Sequence, residues 1–290
     1  MSRTEEAQLP LPSKTPTIII TGAFSGLGRA FFEHFAAVRA QEDEPSPPSQ
    51  VPDFRVVGID KQAWPDKDGS GNHEQASHPH GPRSIYLQAD VTSPRVELEA
   101  LIHRCIGPET PVHLVIHSAG VRGLVPSVPV RGSDDVAGAE ALGVMDAATM
   151  MRTFEVNTVG TFNVLTAVLP NLRIAAAAAT AGGLKPPRVA VMSSRIGSMV
   201  ANVKGGAYAY RASKAALNAV VRSLSVDVPE VCFAMIHPGR VETGLVCTKE
   251  DGAMSCQESL ETLLPVLERL GEGHLKSGCF VDRFGEEIPW

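Results

Sequence analysis

The chain has no excess of positive charge, no apolar run long enough to cross a bilayer and no paired-cysteine motif. Each absence removes a class of function. Lysine and arginine number 26 against 32 aspartates and glutamates, a formal net charge of −6 at pH 7, whereas nucleic-acid binders present a basic face. No stretch reaches the roughly 18 apolar residues that a membrane span requires. Residues 1–14 are polar and proline-containing, so neither a secretory signal nor an Arg-rich transit peptide is expected. The five cysteines, Cys105, Cys232, Cys247, Cys256 and Cys279, are scattered and form no CxxC. That suits reduced thiols in a cytoplasmic protein better than a disulfide framework. No internal repeat is visible. What is present is 290 residues with 43% hydrophobic content, ample for one large α/β core.

Short apolar runs punctuate the chain, each ending on a residue that can do chemistry. The run 17–20 ends at a glycine turn, 54–59 at Asp60, and 84–89 at Asp90. The run 112–116 ends at His117-Ser118-Ala119-Gly120, 188–192 at Ser193-Ser194, and 231–236 at His237-Pro238-Gly239, with a last short run at 279–281. Helical patterns fill most of the gaps, among them 27–39, 150–169 and 209–226. Strands alternating with helices predict a single Rossmann-type, doubly wound parallel sheet covered on both faces. Such sheets bind ligands at the carboxyl edge of their strands, where these residues fall. The expected organisation is a flexible segment at 1–16 followed by one domain over 17–290. Insertions are expected near 61–83, 121–146 and 175–187, and 42–52 is loop-like. The first insertion carries His73, His78 and His80 without a completing cysteine or carboxylate, so a solvated loop is expected there and no metal site.

Thr21-Gly22-Ala23-Phe24-Ser25-Gly26-Leu27-Gly28 follows a strand and precedes a helix, the context of a dinucleotide-binding turn. Glycine lets the backbone approach a pyrophosphate, and the helix N-terminus offers unpaired N–H groups. Asp60 ends the second strand, where an acid accepts hydrogen bonds from the adenine-ribose hydroxyls and repels a 2′-phosphate. NAD(H) is therefore favoured. Arg29 and Lys61 stand nearby and leave NADP(H) open. Asp90 and Val91 are placed to meet the adenine edge.

Tyr210 and Lys214 stand four apart, one helical turn, and so share a face. A free tyrosine, with a pKa of about 10, is a poor proton carrier near neutrality. An adjacent ammonium favours the phenolate and lowers that value. Tyr210 can then serve as general acid in reduction and base in oxidation, with Ser194 holding the substrate oxygen. YxxxK alone is common in helices; the glycine turn and the Ser-Ser strand end give it meaning here. Tyr208 lies off the lysine's face.

These residues resemble those of the short-chain dehydrogenases/reductases, over about residues 17–290. Ser193-Ser194-Arg195-Ile196-Gly197-Ser198 and the stretch from Gly205 to Asn218 are similar to the C-factor-like carbonyl reductase branch, as is the ending Gly285-Glu286-Glu287-Ile288-Pro289-Trp290. The resemblance implies a catalytic tetrad of Asn157, Ser194, Tyr210 and Lys214. In it Asn157 holds a relay water, and Tyr210 and Lys214 also contact the cofactor. It implies that Ser118, Ala119 and Gly120 line the cofactor, and that Pro238, Gly239, Val241 and Thr243 lie beside the nicotinamide. A substrate lid is implied from 241 to about 264. It further implies a small carbonyl or alcohol substrate and a homodimer or homotetramer paired through the helices from Met150 and Ala209. Three features depart from the pattern. His117-Ser118 replaces two asparagines, which leaves the bracing of the central strand open. Arg240 follows Pro238-Gly239, and Asp60 stands where that branch often carries a base. A non-catalytic dinucleotide-binding regulator on the same fold is the alternative, although such proteins usually lose Tyr or Lys, and this chain has both.

Overall fold

A computed structural model describes residues 16–40, 54–64, 76–77, 83–182, 185–246, 248–249 and 251–290. Residues 1–15 of the expected N-terminal segment, the three histidines of the first insertion and Cys247 lie outside the described residues.

Strands β1 (Thr17–Thr21), β2 (Arg55–Asp60), β3 (Ala76–Ser77), β4 (Ser84–Gln88), β5 (Val112–His117), β6 (Arg188–Met192), β7 (Cys232–His237) and β8 (Cys279–Asp282) form one sheet in the order β3-β4-β2-β1-β5-β6-β7-β8. All pairings are parallel except β3 with β4. The β-branched strands alternate their side chains between two cores, because successive residues of a strand point to opposite faces. Ile19, Val57 and Val115 join Leu101, Leu165, Leu217 and Val221 on one face. Ile18, Ile20, Val56 and Ile116 join Phe31, Phe32, Leu260 and Leu263 on the other. Each such side chain contributes about 1.5–3 kcal/mol when fully buried.

Helices α1 (Gly26–Ala40) and α7 (Cys256–Arg269) pack on each other over one face. Helices α2 (Arg95–Ile106), α5 (Thr161–Gly182) and α6 (Tyr208–Asp227) cover the other. The chain order reverses direction across the sheet between β1 and β5, and the cleft opens at the carboxyl ends of these strands, as expected for a doubly wound sheet.

One expectation changes and two gain detail. The stretch 175–182, read as the start of an insertion, is the end of α5, with Ala175, Ala176 and Ala179 buried; alanine is the strongest helix former and the helix runs on past Pro170. The insertion 121–146 contains a short helix, α3 (Ser133–Ala139). The far part of the expected lid is α7, whose Leu260 and Leu263 face the core rather than a pocket.

Helix α4 (Ala147–Phe154) passes into α5 through a single π-helical stretch, Glu155–Gly160. The joined 147–182 segment is long and apolar enough to cross a bilayer by length and composition, but 56% of its most apolar window is buried inside the protein.

Candidate active site

The glycine turn bends back over the sheet because two of its residues have no side chain. Gly22 has φ +72°, a left-handed conformation that β-carbons disfavour. A β-carbon on Gly28 would stand 2.2 Å from the Gly22 carbonyl oxygen, so only glycine lets α1 start this close to β1. Gly22, Ser25, Gly26 and Leu27 line a cleft of about 990 Å³. Phe24 and Gly28 do not line it. Phe24 acts through its backbone N–H, which donates to Asp60 Oδ2 at 3.2 Å, while Asp60 Oδ1 accepts from the Gln62 N–H at 3.0 Å. Asp60 therefore ties the turn to the end of β2 and borders the cleft beside Lys61. Arg29 does not border it. Its guanidinium pairs with Glu33 at 2.7 Å and lies over Trp64 at 5.3 Å. Asp90, Val91, Ser118, Ala119, Gly120, Pro238, Gly239, Val241 and Thr243 also line the cleft. Gly26 and Thr243 close on each other across it, since a β-carbon on Gly26 would lie 3.0 Å from Thr243 Cβ.

Ser194, Tyr210 and Lys214 line the same cleft, all three buried. Ser194 sits where β6 ends in a 3-10 turn, its Oγ accepting from the Ile196 N–H at 3.3 Å. Lys214 donates from Nζ to the Met192 carbonyl at 2.8 Å. Burial lowers its pKa to about 8. The ammonium lies 5.7 Å from the centre of the Tyr210 ring, and the Arg122 guanidinium lies 4.9 Å from it. Tyr208, by contrast, is 38% exposed against 7% for Tyr210.

Asn157 is fully buried in the π-helical stretch. Its Oδ1 accepts from the Val121 N–H at 2.8 Å, and its Nδ2 donates to the Val121 carbonyl at 2.9 Å and to Ser213 Oγ at 3.0 Å. Both amide hydrogens are thus committed to fixing the backbone after Gly120 and to binding α6.

His117 answers the question left by the missing asparagines. The Thr161 hydroxyl donates to the Asn157 carbonyl at 2.7 Å, so toward His117 Nε2, 3.0 Å away, it accepts. Nε2 therefore carries the proton and Nδ1 accepts from Thr21, whose hydroxyl in turn accepts from the Ala119 N–H at 3.3 Å. One neutral imidazole links the cofactor turn, the central strand and the Asn157 helix. Burial, and then the charge of Lys214, lower its pKa to about 3.

The sequence reading missed Arg122 and Glu140. Arg122 Nε and Nη2 donate to the two Glu140 carboxylate oxygens, each at 2.9 Å. The Glu140 backbone carbonyl accepts from the N–H of Ala207, the residue before α6. The segment 121–146 is thereby fastened to the head of the helix that carries Tyr210. No local motif marks this pair in the sequence, because its members are brought together by a fold of the loop.

A cradle of glycines at a helix N-terminus, an acid at the end of β2 and a Tyr-Lys pair in one cleft are the features of a nucleotide-dependent redox fold. The chain belongs to the short chain dehydrogenase family, whose model matches residues 54–253. It is similar to the protein named C-signal from Myxococcus xanthus, with 40% identity over 188 residues covering 64% of this chain and 95% of that one. It is also similar to 1-hydroxy-2-glutathionyl-2-methyl-3-butene dehydrogenase from Rhodococcus sp. (strain AD45), 30% identical over 66% of this chain and 77% of that one. Among solved structures, the NADPH-bound carbonyl reductase from chicken fatty liver superposes with a TM-score of 0.69, at 23% identity over 96% of this chain and 100% of that one. The carbonyl reductase Sniffer of D. melanogaster superposes with a TM-score of 0.66, at 24% identity over 96% and 99%. At these identities the structural likeness shows the fold.

Proposed function

We propose that the protein is an NAD(P)-dependent oxidoreductase that interconverts a small carbonyl compound and its alcohol. The observation that carries this is the burial of Tyr210 and Lys214, one helical turn apart, in the cleft that the glycine turn also borders. A bound nicotinamide supplies or accepts the hydride. The residues of the chain do the rest. In reduction, Ser194 donates a hydrogen bond to the carbonyl oxygen and stabilises the charge that develops there. Tyr210 gives its phenolic proton to that oxygen, and in oxidation it takes the proton back. Lys214, held on the Met192 carbonyl, and Arg122, over the ring, both favour the phenolate electrostatically. Asn157 positions the Val121 backbone and α6. Asp60, next to the cofactor turn, favours NAD(H), while Lys61 keeps NADP(H) open. The cysteines among the described residues are all free, which fits the reducing cytoplasm that we assign to the protein.

The relative named C-signal favours a second reading, a dinucleotide-binding signalling protein that does not turn over. Retention of Tyr210 and Lys214, both buried in the cleft wall, weighs for the enzyme. A turnover screen of aldehydes, ketones and secondary alcohols against NADH, NADPH and their oxidised forms tests the choice. Cofactor-dependent turnover of any of them supports the enzyme; tight cofactor binding with no turnover supports the signalling reading.

A further inference from the structure

Beyond Ser194 and Tyr210, the cleft wall is built from the segments 121–140 and 195–207, and its charge is one-sided. Arg122, Arg195, Lys204 and Arg211 line it, with Glu140 as the carboxylate among them. The whole chain carries a net charge of −6, so this wall runs against the sign of the molecule.

The positive charge is built in rather than incidental. Arg211, the residue after Tyr210, donates from Nε to the Gly206 carbonyl, from Nη1 to that of Ile196 and from Nη2 to that of Gly205. These carbonyls fix the guanidinium without neutralising it. The nearby carboxylate, Glu140, is held bidentately by Arg122. Two guanidiniums thus share one carboxylate beside the proposed proton donor. Burial lowers the Arg211 pKa, Glu140 raises it and Arg122 lowers it again. Arg195, exposed at the cleft, meets Asp282 at 3.6 Å, and Lys204, also exposed, lines the same cleft. Apolar Val121, Ile196 and Val203 line the cleft with them. A partly buried positive excess is unfavourable until an anion enters, and inside a low-dielectric cleft it concentrates anionic ligands.

We propose that the substrate is a carbonyl compound or alcohol with an apolar body and an anionic group, a carboxylate or a phosphate ester, remote from the reacting carbon. This rests on the redox reading of the same cleft and names its substrate class. Arg195 and Lys204 meet the anion, and Arg122 and Arg211 supply the field within. The reaction is otherwise as given above: hydride to the carbonyl carbon, proton from Tyr210 to the oxygen.

The test compares 4-formylbenzoate, 4-formylphenyl phosphate and the neutral methyl 4-formylbenzoate. At least one anion is expected to exceed the ester in kcat/KM by roughly tenfold, the size of one charge-assisted contact, and the better anion identifies the group. The advantage shrinks as NaCl is raised, by screening, and falls toward one or inverts in the double variant Arg195→Glu/Lys204→Glu. Both sites are exposed, so the variant is expected to fold, and circular dichroism checks this. In parallel, calorimetry compares binding of 4-(hydroxymethyl)benzoate and its methyl ester to the protein with NAD⁺ or NADP⁺, with no turnover needed. Tighter carboxylate binding without turnover sustains the anion site and sinks the redox reading. Turnover of anions and ester at equal efficiency, with equal binding of the two alcohols, sustains the redox reading and overturns the anion site.

Discussion

The Thr21 hydroxyl donates to His117 Nδ1 at 2.9 Å, and the partners of both groups leave that bond one direction only. A protonated imidazole would set two donors against each other in a dry interior. Folded His117 has its pKa depressed to about 3 from an unfolded value of 6.5, so the unfolded chain binds the proton first. Stability from this group is fully present above pH 6.5 and is lost as pH falls from there toward 3, at about 1.4 kcal/mol per unit. His237, lowered to about 4 chiefly by burial, acts in the same direction. Urea unfolding at pH 7.5 and 5 is expected to show a steeper loss in the parent than in His117→Asn, which keeps an amide and removes the titration. Equal losses would refute the assignment.

Tyr210→Phe removes one hydroxyl from a buried ring and is expected to abolish turnover while leaving cofactor affinity within a few-fold. Lys214→Ala should damage both. Ser194→Ala should cost on the order of 3 kcal/mol in the barrier, the value of one oxyanion donor. Tyr208→Phe, at an exposed ring, should be mild. Steady-state kinetics and nicotinamide fluorescence separate these outcomes, and robust turnover by Tyr210→Phe would overturn the mechanism.

Asp60 meets the turn through Oδ2 and the Gln62 N–H through Oδ1, and its charge opposes a 2′-phosphate. NADH is expected to bind more tightly than NADPH, and Asp60→Ala to narrow the gap. Fluorescence titrations in which the parent prefers NADPH would reverse the cofactor assignment.

Met151, Val159 and Phe162 are 69%, 50% and 46% exposed on the helices that run from α4 into α5. Exposed apolar side chains on neighbouring turns suit a two-fold pairing of like surfaces. Light scattering at micromolar concentration is expected to give a multiple of the 30.8 kDa chain mass, reduced in Met151→Glu/Phe162→Glu. A parent that runs as a monomer would dismiss the pairing.

The strands were legible because β-branched runs between turn residues carry their own signal, and their ends placed Asp60, Ser194 and the glycine turn on one edge. Tyr210 and Lys214 were legible because helical spacing is local. Other features were not. β3 has two residues, too few for a pattern. The alanines of 175–179 look like filler after Pro170 unless propensity is summed. The role of His117 depends on hydroxyls at 21 and 161, and the members of the Arg122–Glu140 pair stand 18 positions apart with α3 between them. Long-range pairings of this kind belong to the fold and leave no periodic trace.

The π-helical stretch at Glu155–Gly160 gives the long 147–182 helix two reading frames. A π turn takes up about one residue more than an α turn, so the face that α4 turns toward α6 and the face that α5 turns toward the sheet are out of phase by that residue. Deleting one residue here would still allow a continuous α-helix, and a regular one. Winding the same residues into a regular α-helix with none deleted would instead rotate one half against the other by about 100°, a little over a quarter of a turn, and move Asn157 off the Val121 backbone. The irregularity is therefore the setting that keeps both halves in register with their separate partners.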